Sequence, residues 1–353
     1  MKGWKDDKRG IGEEVGLYIG RFNPPHVGHE SIIYEMLQQN LDTIIIAIGG
    51  ATGARTFKNP WNFAERSIMI NLAFEDVQKR FLEERPNWTT KTKLRIIGIP
   101  DYISDYRWQQ DVRVRVEGIT NPNDDIAIYG YEKDGSSYYL KMFPEWKFIE
   151  IKAQYKMDAT TVREMIYKKE FKFDAEAYLY NNMRFVSGGV QQFIDKWIDS
   201  DEFNQLRREW EFINTYKKQF EGLKYPPVFV TVDALFITPQ KEVVLLERKE
   251  YPGFGMLAMP GGFVDPHLTL RQSLDKIVEK KLKIDISHYK HTRMEVIDNP
   301  DRSLRGRTIT NVFVFENFGH NGPNIFKYPI GNLGMYRQQM FEDHYMIIDH
   351  LLY

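Results

Sequence analysis

Along the first half of the chain the apolar positions switch between two periods. Leu17 to Ile19 is a short apolar run, Asn23-Pro24-Pro25 forbids helix, and Ile32, Ile33, Met36 and Leu37 then recur at helical spacing. This pattern predicts a strand, a tight loop and a helix opening at about Gly28. Thr43 to Gly50 follows as a continuous apolar run, of the kind buried on both faces of a parallel sheet. A loop from Ala54 leads into a helix carrying Ile68, Met69 and Leu72, and Leu94–Ile99, Ile126–Gly130 and Phe148–Ile151 predict three more strands. Strand, helix and strand in close succession make a right-handed βαβ unit, whose sheet places ligands at the carboxyl ends of its strands. The fold class expected here is α/β, a doubly wound parallel sheet.

From Ser187 the period becomes helical, with Phe193, Trp197, Leu206, Trp210, Ile213, Tyr216, Lys217 and Phe220 set among charges, until Gly222 to Pro227 breaks it. Val228–Ile237 and Glu242–Arg248 then read as strands. Leu270, Leu274, Ile277, Val278 and Leu282 form one apolar helix face, opened by the capping-box pair Thr269 and Gln272. A chain of 353 residues exceeds the size at which one core keeps growing. The expected organisation is therefore a first domain over 1–186, a helical connector over 187–224 and an α+β domain over 225–353.

Composition narrows the function. An apolar fraction of 42% with 27% charged residues is that of a globular protein, and a net charge of −1 carries no basic field for nucleic acid. Cysteine is absent, which removes disulfides, thiolate metal sites and cysteine nucleophiles and fits a reducing cytoplasm. Met1 to Glu14 lacks an apolar signal region and no segment reaches the apolar length of a membrane span, so the chain reads as cytoplasmic, with no membrane or nucleic-acid partner and a homo-oligomer open.

The chemistry concentrates in Gly16 to His29. His26 and His29 straddle the opening of the first helix and Arg21 ends the strand before it, so three donors stand near a helix N-terminus with its own partial positive charge. Such a corner suits phosphate oxygens. Two surface or core histidines, or half of a metal site, would show the same letters, although a metal needs a third ligand and Arg21 would repel a cation.

Gly20-Arg21-Phe22-Asn23-Pro24-Pro25-His26-Val27-Gly28-His29 resembles the H-x-G-H signature of the nucleotidylyltransferase superfamily, in the version of archaeal-type nicotinamide mononucleotide (NMN) adenylyltransferases, which have a Rossmann-like fold. Arg55-Thr56, Asn59-Pro60 and Glu65-Arg66 are similar to a second block of that family, and Met157 to Ile166 to a third. The resemblance implies adenylyl transfer from ATP to NMN, giving NAD and pyrophosphate with Mg2+ carried on the phosphates. It implies that Ile19, Gly20, Arg21, Phe22, His26, His29, Gly130, Tyr131, Lys133, Thr160, Thr161 and Arg163 meet ATP, with His26, His29 and Arg163 catalytic. Phe22, Asn23, Arg55, Asp101, Tyr106 and Trp108 would meet NMN, with Trp61 in reserve for the nicotinamide ring. Asp158 and Ala159 stand where the family has serines, so two hydroxyls are missing.

In the second domain, Leu257 to Pro266 resembles the entry to a Nudix box, and Arg305 to Thr308 with Phe341 to His344 resembles Nudix domains that cleave ADP-ribose. The whole chain is thus similar to the bifunctional NMN adenylyltransferase/Nudix family. Counted from Gly262, however, Leu268, Ile277, Lys280 and Lys281 occupy the positions of the acids, and Lys276 and Lys283 replace the Arg and the last Gly. Hard divalent cations take oxygen ligands, which leucine, isoleucine and lysine do not supply. The expectation is a Nudix fold with slow or no hydrolysis. ADP-ribose or a dinucleotide remains a possible ligand, and a regulatory protein that senses pyridine nucleotides is the alternative.

Overall fold

The computed structural model describes residues 12–89, 91–131, 139–152, 157–170, 185–322 and 324–353. The chain divides into two compact units, Met1–Asn204 and Gln205–Tyr353.

The first unit is built on five parallel strands, β1 (Glu14–Gly20), β2 (Thr43–Gly49), β3 (Lys93–Ile99), β4 (Asp125–Gly130) and β5 (Lys147–Glu150), in the order β3-β2-β1-β4-β5. Strand periodicity sorts the apolar run of β2 onto two faces. Ile44, Ile46 and Ile48 join a cluster with Ile33, Met36 and Leu37 of α1 (Val27–Gln38) and Ile70, Val77 and Phe81 of α2 (Phe63–Glu84). Ile45 and Ala47 join Leu17, Ile19, Phe143 and the residues Val112 and Val116 of α3 (Asp105–Glu117) on the other face. Both faces are covered, which is why β2 carries no polar residue after Thr43. The strand order reverses between β1 and β4, and ligands of such sheets bind in the crevice outside the carboxyl ends at that point. The segment Gly20–His29 leaves β1 there, and α4 (Ala159–Tyr167) follows β5.

The stretch expected to be a connector contains α5 (Gly188–Trp197) and α6 (Asp201–Lys218), and it is shared between the units. Trp197 packs on Trp61 at 4.9 Å between ring centroids and Phe203 stacks on Tyr167 at 5.9 Å, so its beginning belongs to the first core. Further along, Phe220 packs on Phe229 at 5.3 Å, within the second unit.

That second unit has a Nudix-like fold. Strands β6 (Phe229–Phe236), β9 (Gly261–Phe263), β10 (Arg293–Ile297) and β11 (Thr308–Phe315) form a mixed sheet in the order β10-β11-β6-β9, with β6 and β11 parallel. A second sheet is ordered β12-β7-β8, from β7 (Glu242–Glu247), β8 (Leu257–Ala258) and β12 (Phe326–Pro329). Leu274, Val278 and Leu282 of α7 (Leu270–Leu282) bury against Val232, Ala234 and Phe236, and Thr269 and Gln272 cap that helix reciprocally, as their spacing predicts. The chain closes with α8 (His344–Leu352). Among the described residues, no helix is long and apolar enough to cross a membrane.

Candidate active site

The corner after β1 is organised by its two histidines. His26 is the N-cap of α1 and its Nδ1 accepts the Gly28 N–H at 3.1 Å; His29, three residues on, accepts the His26 N–H on its own Nδ1 at 3.2 Å. This is a capping box written in imidazoles instead of the usual hydroxyl and carboxamide. With Nδ1 accepting in both rings, the hydrogen-bond network assigns the proton of each neutral imidazole to Nε2. Burial, with His26 as neighbour, holds His29 well below the ordinary histidine range, so it stays neutral at physiological pH. The ring centroids lie 3.9 Å apart. A Cβ on Gly28 would come within 3.0 Å of the His26 ring, so a side chain there would dislodge the cap.

Helix α4 brings a second N-terminus to the same place, with the Met157 carbonyl 3.7 Å from the Cβ position of Gly28. Asp158 caps α4 by accepting the Thr161 N–H at 2.8 Å and the Thr161 hydroxyl at 3.3 Å, so the residue that displaces a family serine keeps the helix start in order. Arg163 reaches across, donating to the Asn23 carbonyl at 2.6 Å and to Thr160 Oγ1 at 3.0 Å. The loop before α1 and the first turn of α4 are thereby held by one guanidinium, whose basicity is lowered chiefly by burial.

Phe22 lies directly beneath the histidines. Its backbone has φ +49°, its ring is buried, and the ring packs on Tyr18 at 5.2 Å and on His29 at 4.8 Å. The buried ring supports the imidazole. Asn23 is likewise buried, its amide donating to Asn59 at 3.2 Å and accepting from the Trp61 N–H at 3.4 Å.

Arg21 points away from the histidines and pairs with Asp101 at 3.0 Å. The pair lies over Gly50, whose φ of +61° is left-handed and whose Cβ position is 2.7 Å from Arg21 Nη1. Arg21, Gly50, Arg55, Asn59, Trp61 and Asp101 line one cleft at the ends of β1, β2 and β3. Arg55 is held there by Glu65, at 2.5 and 3.0 Å, and by the Pro60 carbonyl at 2.9 Å. Trp108, by contrast, packs against Tyr139 and Phe143 at about 6 Å on the β1–β2 core, and Tyr106 is exposed on the first turn of α3. Trp61, the reserve candidate, borders that cleft, but its ring is buried against Trp197, whereas Trp108 is only partly buried. Ile19 and Gly130 sit at the carboxyl ends of β1 and β4, exposed Tyr131 follows, and Lys133 lies outside the described residues.

Arg66 stood in the second block without a role assigned to it. Arg66 is buried on α2 and donates to the carbonyls of Arg21 at 2.9 Å, Gly49 at 2.7 Å and Gly50 at 2.9 Å, tying the ends of β1 and β2 together beneath the cleft. Burial first and Arg21 second lower its pKa to about 10, so it remains charged. Its signal was positional: Arg66 shares a helical face with the buried Met69, Ile70 and Ala73.

In the second unit, the helix of the degenerate box packs on β9, with Ile277 3.4 Å from the Cβ position of Gly262. Lys281 donates to the Gly261 carbonyl at 2.5 Å. The buried pair Arg302–Asp343 makes two bonds of 2.9 Å, and desolvation raises Asp343 to about 7.

Comparison with known proteins agrees with this division. Residues 17–164 match the cytidylyltransferase-like family. A nicotinamide/nicotinic acid mononucleotide adenylyltransferase of Acinetobacter baylyi is 32% identical over 197 residues, covering 55% of this chain and 92% of that protein. The crystal structure of a bifunctional NMN adenylyltransferase/ADP ribose pyrophosphatase from Francisella tularensis is 30% identical with a TM-score of 0.80, covering 96% of this chain and 98% of that one. The same Francisella protein complexed with AMP and Mn ion gives 29% identity and a TM-score of 0.79, with the same coverage.

Proposed function

Since the chain belongs to the NMN adenylyltransferase family, in the form joined to a Nudix-like domain, we propose that it transfers the adenylyl group of ATP to NMN, releasing pyrophosphate and forming NAD. The observation that carries this reading is the meeting of two capped helix N-termini, α1 with His26 and His29 and α4 with Thr160 and Arg163.

In the reaction a 5′-phosphate oxygen of NMN attacks the α-phosphorus of ATP, and the bond from that phosphorus to the oxygen bridging towards the β-phosphorus breaks. Both reactants arrive charged and no covalent enzyme intermediate is needed, so the protein's work is alignment and stabilisation of charge building on the phosphates. His26 and His29, protonated on Nε2, donate to the α- and β-phosphate oxygens as the pentavalent centre forms. Arg163, already fixed across the corner, holds the departing pyrophosphate with Thr160 and Thr161, since a planar guanidinium bonds two oxygens at once. Arg21, Arg55 and Asp101 form the acceptor side, with Asp101 accepting from the nicotinamide carboxamide and Trp108, which is only partly buried, offering its face to the ring. Mg2+ enters with ATP as part of the substrate: the corner offers donors and cations, which fit phosphate oxygens and not a bare metal ion.

The second unit, in this reading, does not hydrolyse ADP-ribose at the rate of a complete Nudix box, because Leu268, Ile277, Lys280 and Lys281 do not fit a divalent cation. Incubation with ATP, Mg2+ and either NMN or nicotinate mononucleotide, followed for NAD or its acid analogue and for pyrophosphate, tests the first activity. Parallel incubation with ADP-ribose tests the second. Absence of product with both acceptors refutes the adenylyl transfer, and rapid release of AMP from ADP-ribose refutes the inactivity.

A further inference from the structure

Helix α5 starts without a cap of its own, since the hydroxyl of its N-cap Ser187 makes no capping bond. Carboxylates of two other helices supply the acceptors: Glu30 of α1 takes the Ser187 N–H at 2.7 Å, and Asp76 of α2 takes the Gly189 N–H at 3.1 Å. A Cβ at Gly189 would come within 2.9 Å of the Leu72 Cβ, so the glycine lets α5 lie close on α2. Glu30 directly follows His29 in the first turn of α1, and the Val27 N–H of the same turn donates to the Phe185 carbonyl at 3.0 Å. The start of α5 is thus pinned to the histidine corner. Its other end carries Trp197, the middle of a row of buried rings. Trp197 packs on Trp61 at 4.9 Å on one side and meets Phe203 edge-on at 5.4 Å on the other, and Phe203 lies parallel to Tyr167 at 5.9 Å.

The two ends of this row belong to opposite sides of the proposed reaction. Trp61 borders the cleft of Arg21, Arg55 and Asp101, and its backbone N–H donates to Oδ1 of Asn23, the residue whose carbonyl accepts from Arg163. Tyr167 stands one turn beyond Arg163 on α4. Between them, Trp61 and Trp197 each bury an indole N–H that has no acceptor, a destabilising feature that phenylalanine or leucine would avoid. Filling a core does not account for two such indoles, whereas the reach of the second ring from one element to the next does. We propose that Trp197 and Phe203 are positioning residues for adenylyl transfer: through Trp61 and through Tyr167 they fix the separation between the acceptor cleft and the helix of Arg163. The proposal rests on the reading of the first unit as an adenylyltransferase. In-line attack needs the NMN phosphate oxygen and the α-phosphorus of ATP about 3–3.5 Å apart and aligned, and a displacement of about 1 Å can cost roughly 100-fold. An error of separation leaves each half-site intact, so it is read in kcat and not in either KM.

Steady-state NAD synthesis by variants of the full-length chain tests this, at a temperature where thermal melts show every variant folded. Trp197→Leu removes the ring between Trp61 and Phe203 and should lower kcat roughly 10- to 100-fold, with the KM for ATP and the KM for NMN each held within about 3-fold. Trp197→Phe keeps a ring against both neighbours and removes the unpaired N–H, and should recover most of the lost kcat. Ile194→Ala empties a buried position of the same helix outside the row; it should lower the melting temperature and leave kcat at the parental value. If Trp197→Leu does not fold, Phe203→Leu interrupts the row at the next ring and carries the same expectation. Parental kcat in a folded leucine variant, an equal loss of kcat in Ile194→Ala, or a rise confined to the KM of one substrate overturns the proposal. Absence of NAD from the parent chain refutes the adenylyl transfer itself, whereas an active parent whose kcat ignores Trp197 refutes only the row.

Discussion

Replacing His29 by alanine removes two things at once, and the structure separates their sizes. The first is the acceptor for the His26 N–H in the cap of α1, at 3.2 Å, a contribution of about 1 kcal/mol to stability. The second, in the proposed reaction, is an Nε2 donor to charge that develops only in the transition state. Removing one such donor costs about 3–4 kcal/mol, or roughly 100- to 1,000-fold in kcat. His29→Ala should therefore lose kcat by that factor with little change in the KM for ATP, and lose only about 1 kcal/mol in urea unfolding at pH 7.5. His29→Glu puts a carboxylate at the third helical position, where it can take the same backbone N–H, and should recover the stability while leaving the rate as low as in His29→Ala. The pH dependence has a definite sign. His29 is held neutral when folded but takes a proton near its ordinary value of 6.5 when unfolded, so acid favours the unfolded chain. The stability advantage of the parent over His29→Ala should be full above pH 7 and shrink by up to about 1.4 kcal/mol per pH unit below 6.5. Taking the difference between the two proteins cancels the opposing titration of Asp343. An unchanged kcat in His29→Ala would remove this histidine from the chemistry, and an advantage that grows in acid would refute the neutral ring.

Arg163→Lys keeps the charge but cannot bridge the Asn23 carbonyl and Thr160 as the guanidinium does; kcat/KM for ATP should fall roughly 10- to 100-fold in steady-state assays. Arg66→Met leaves three strand-end carbonyls without their donor and should lower unfolding free energy by about 3–5 kcal/mol, a loss that near-parental melts would contradict. Gly50→Ala forces a left-handed alanine against Arg21 and should cost about 1–2 kcal/mol in stability. In kinetics it should raise the KM for NMN several-fold while that for ATP holds, and equal rises in both would place the Arg21–Asp101 pair elsewhere in the reaction.

Much of the first unit was legible because period and punctuation agreed. Strand β1, the proline loop, α1 and the double-faced run of β2 followed from spacing, and the parallel βαβ unit of β1, α1 and β2 from their succession. What could not be read were the pairings between distant residues. Arg21 and Asp101 were assigned to different substrates, yet they bond to each other because the ends of β1 and β3 converge on Gly50. Trp61 and Trp108 carry the same ring in similar loop-to-helix settings, and only the distant Trp197 decides that Trp61 is the one fully buried, while Trp108 stays partly buried against Tyr139 and Phe143. The helices after Ser187 looked like a linker because their aromatic residues are interleaved with charges. Trp197 and Phe220 in fact pack into different cores, which no local pattern records.

The capping boxes of α1 and α7 carry different amounts of history. In α7 the cap is made by Thr269 and Gln272, and the positions that would bind metal are other residues, so mutation could empty the box of acids while the helix went on forming. In α1 the cap is His26 and His29 themselves. A lineage that abandoned adenylyl transfer would still be under pressure to keep a hydrogen-bond acceptor at both positions, since losing either would cost about 1 kcal/mol in folding.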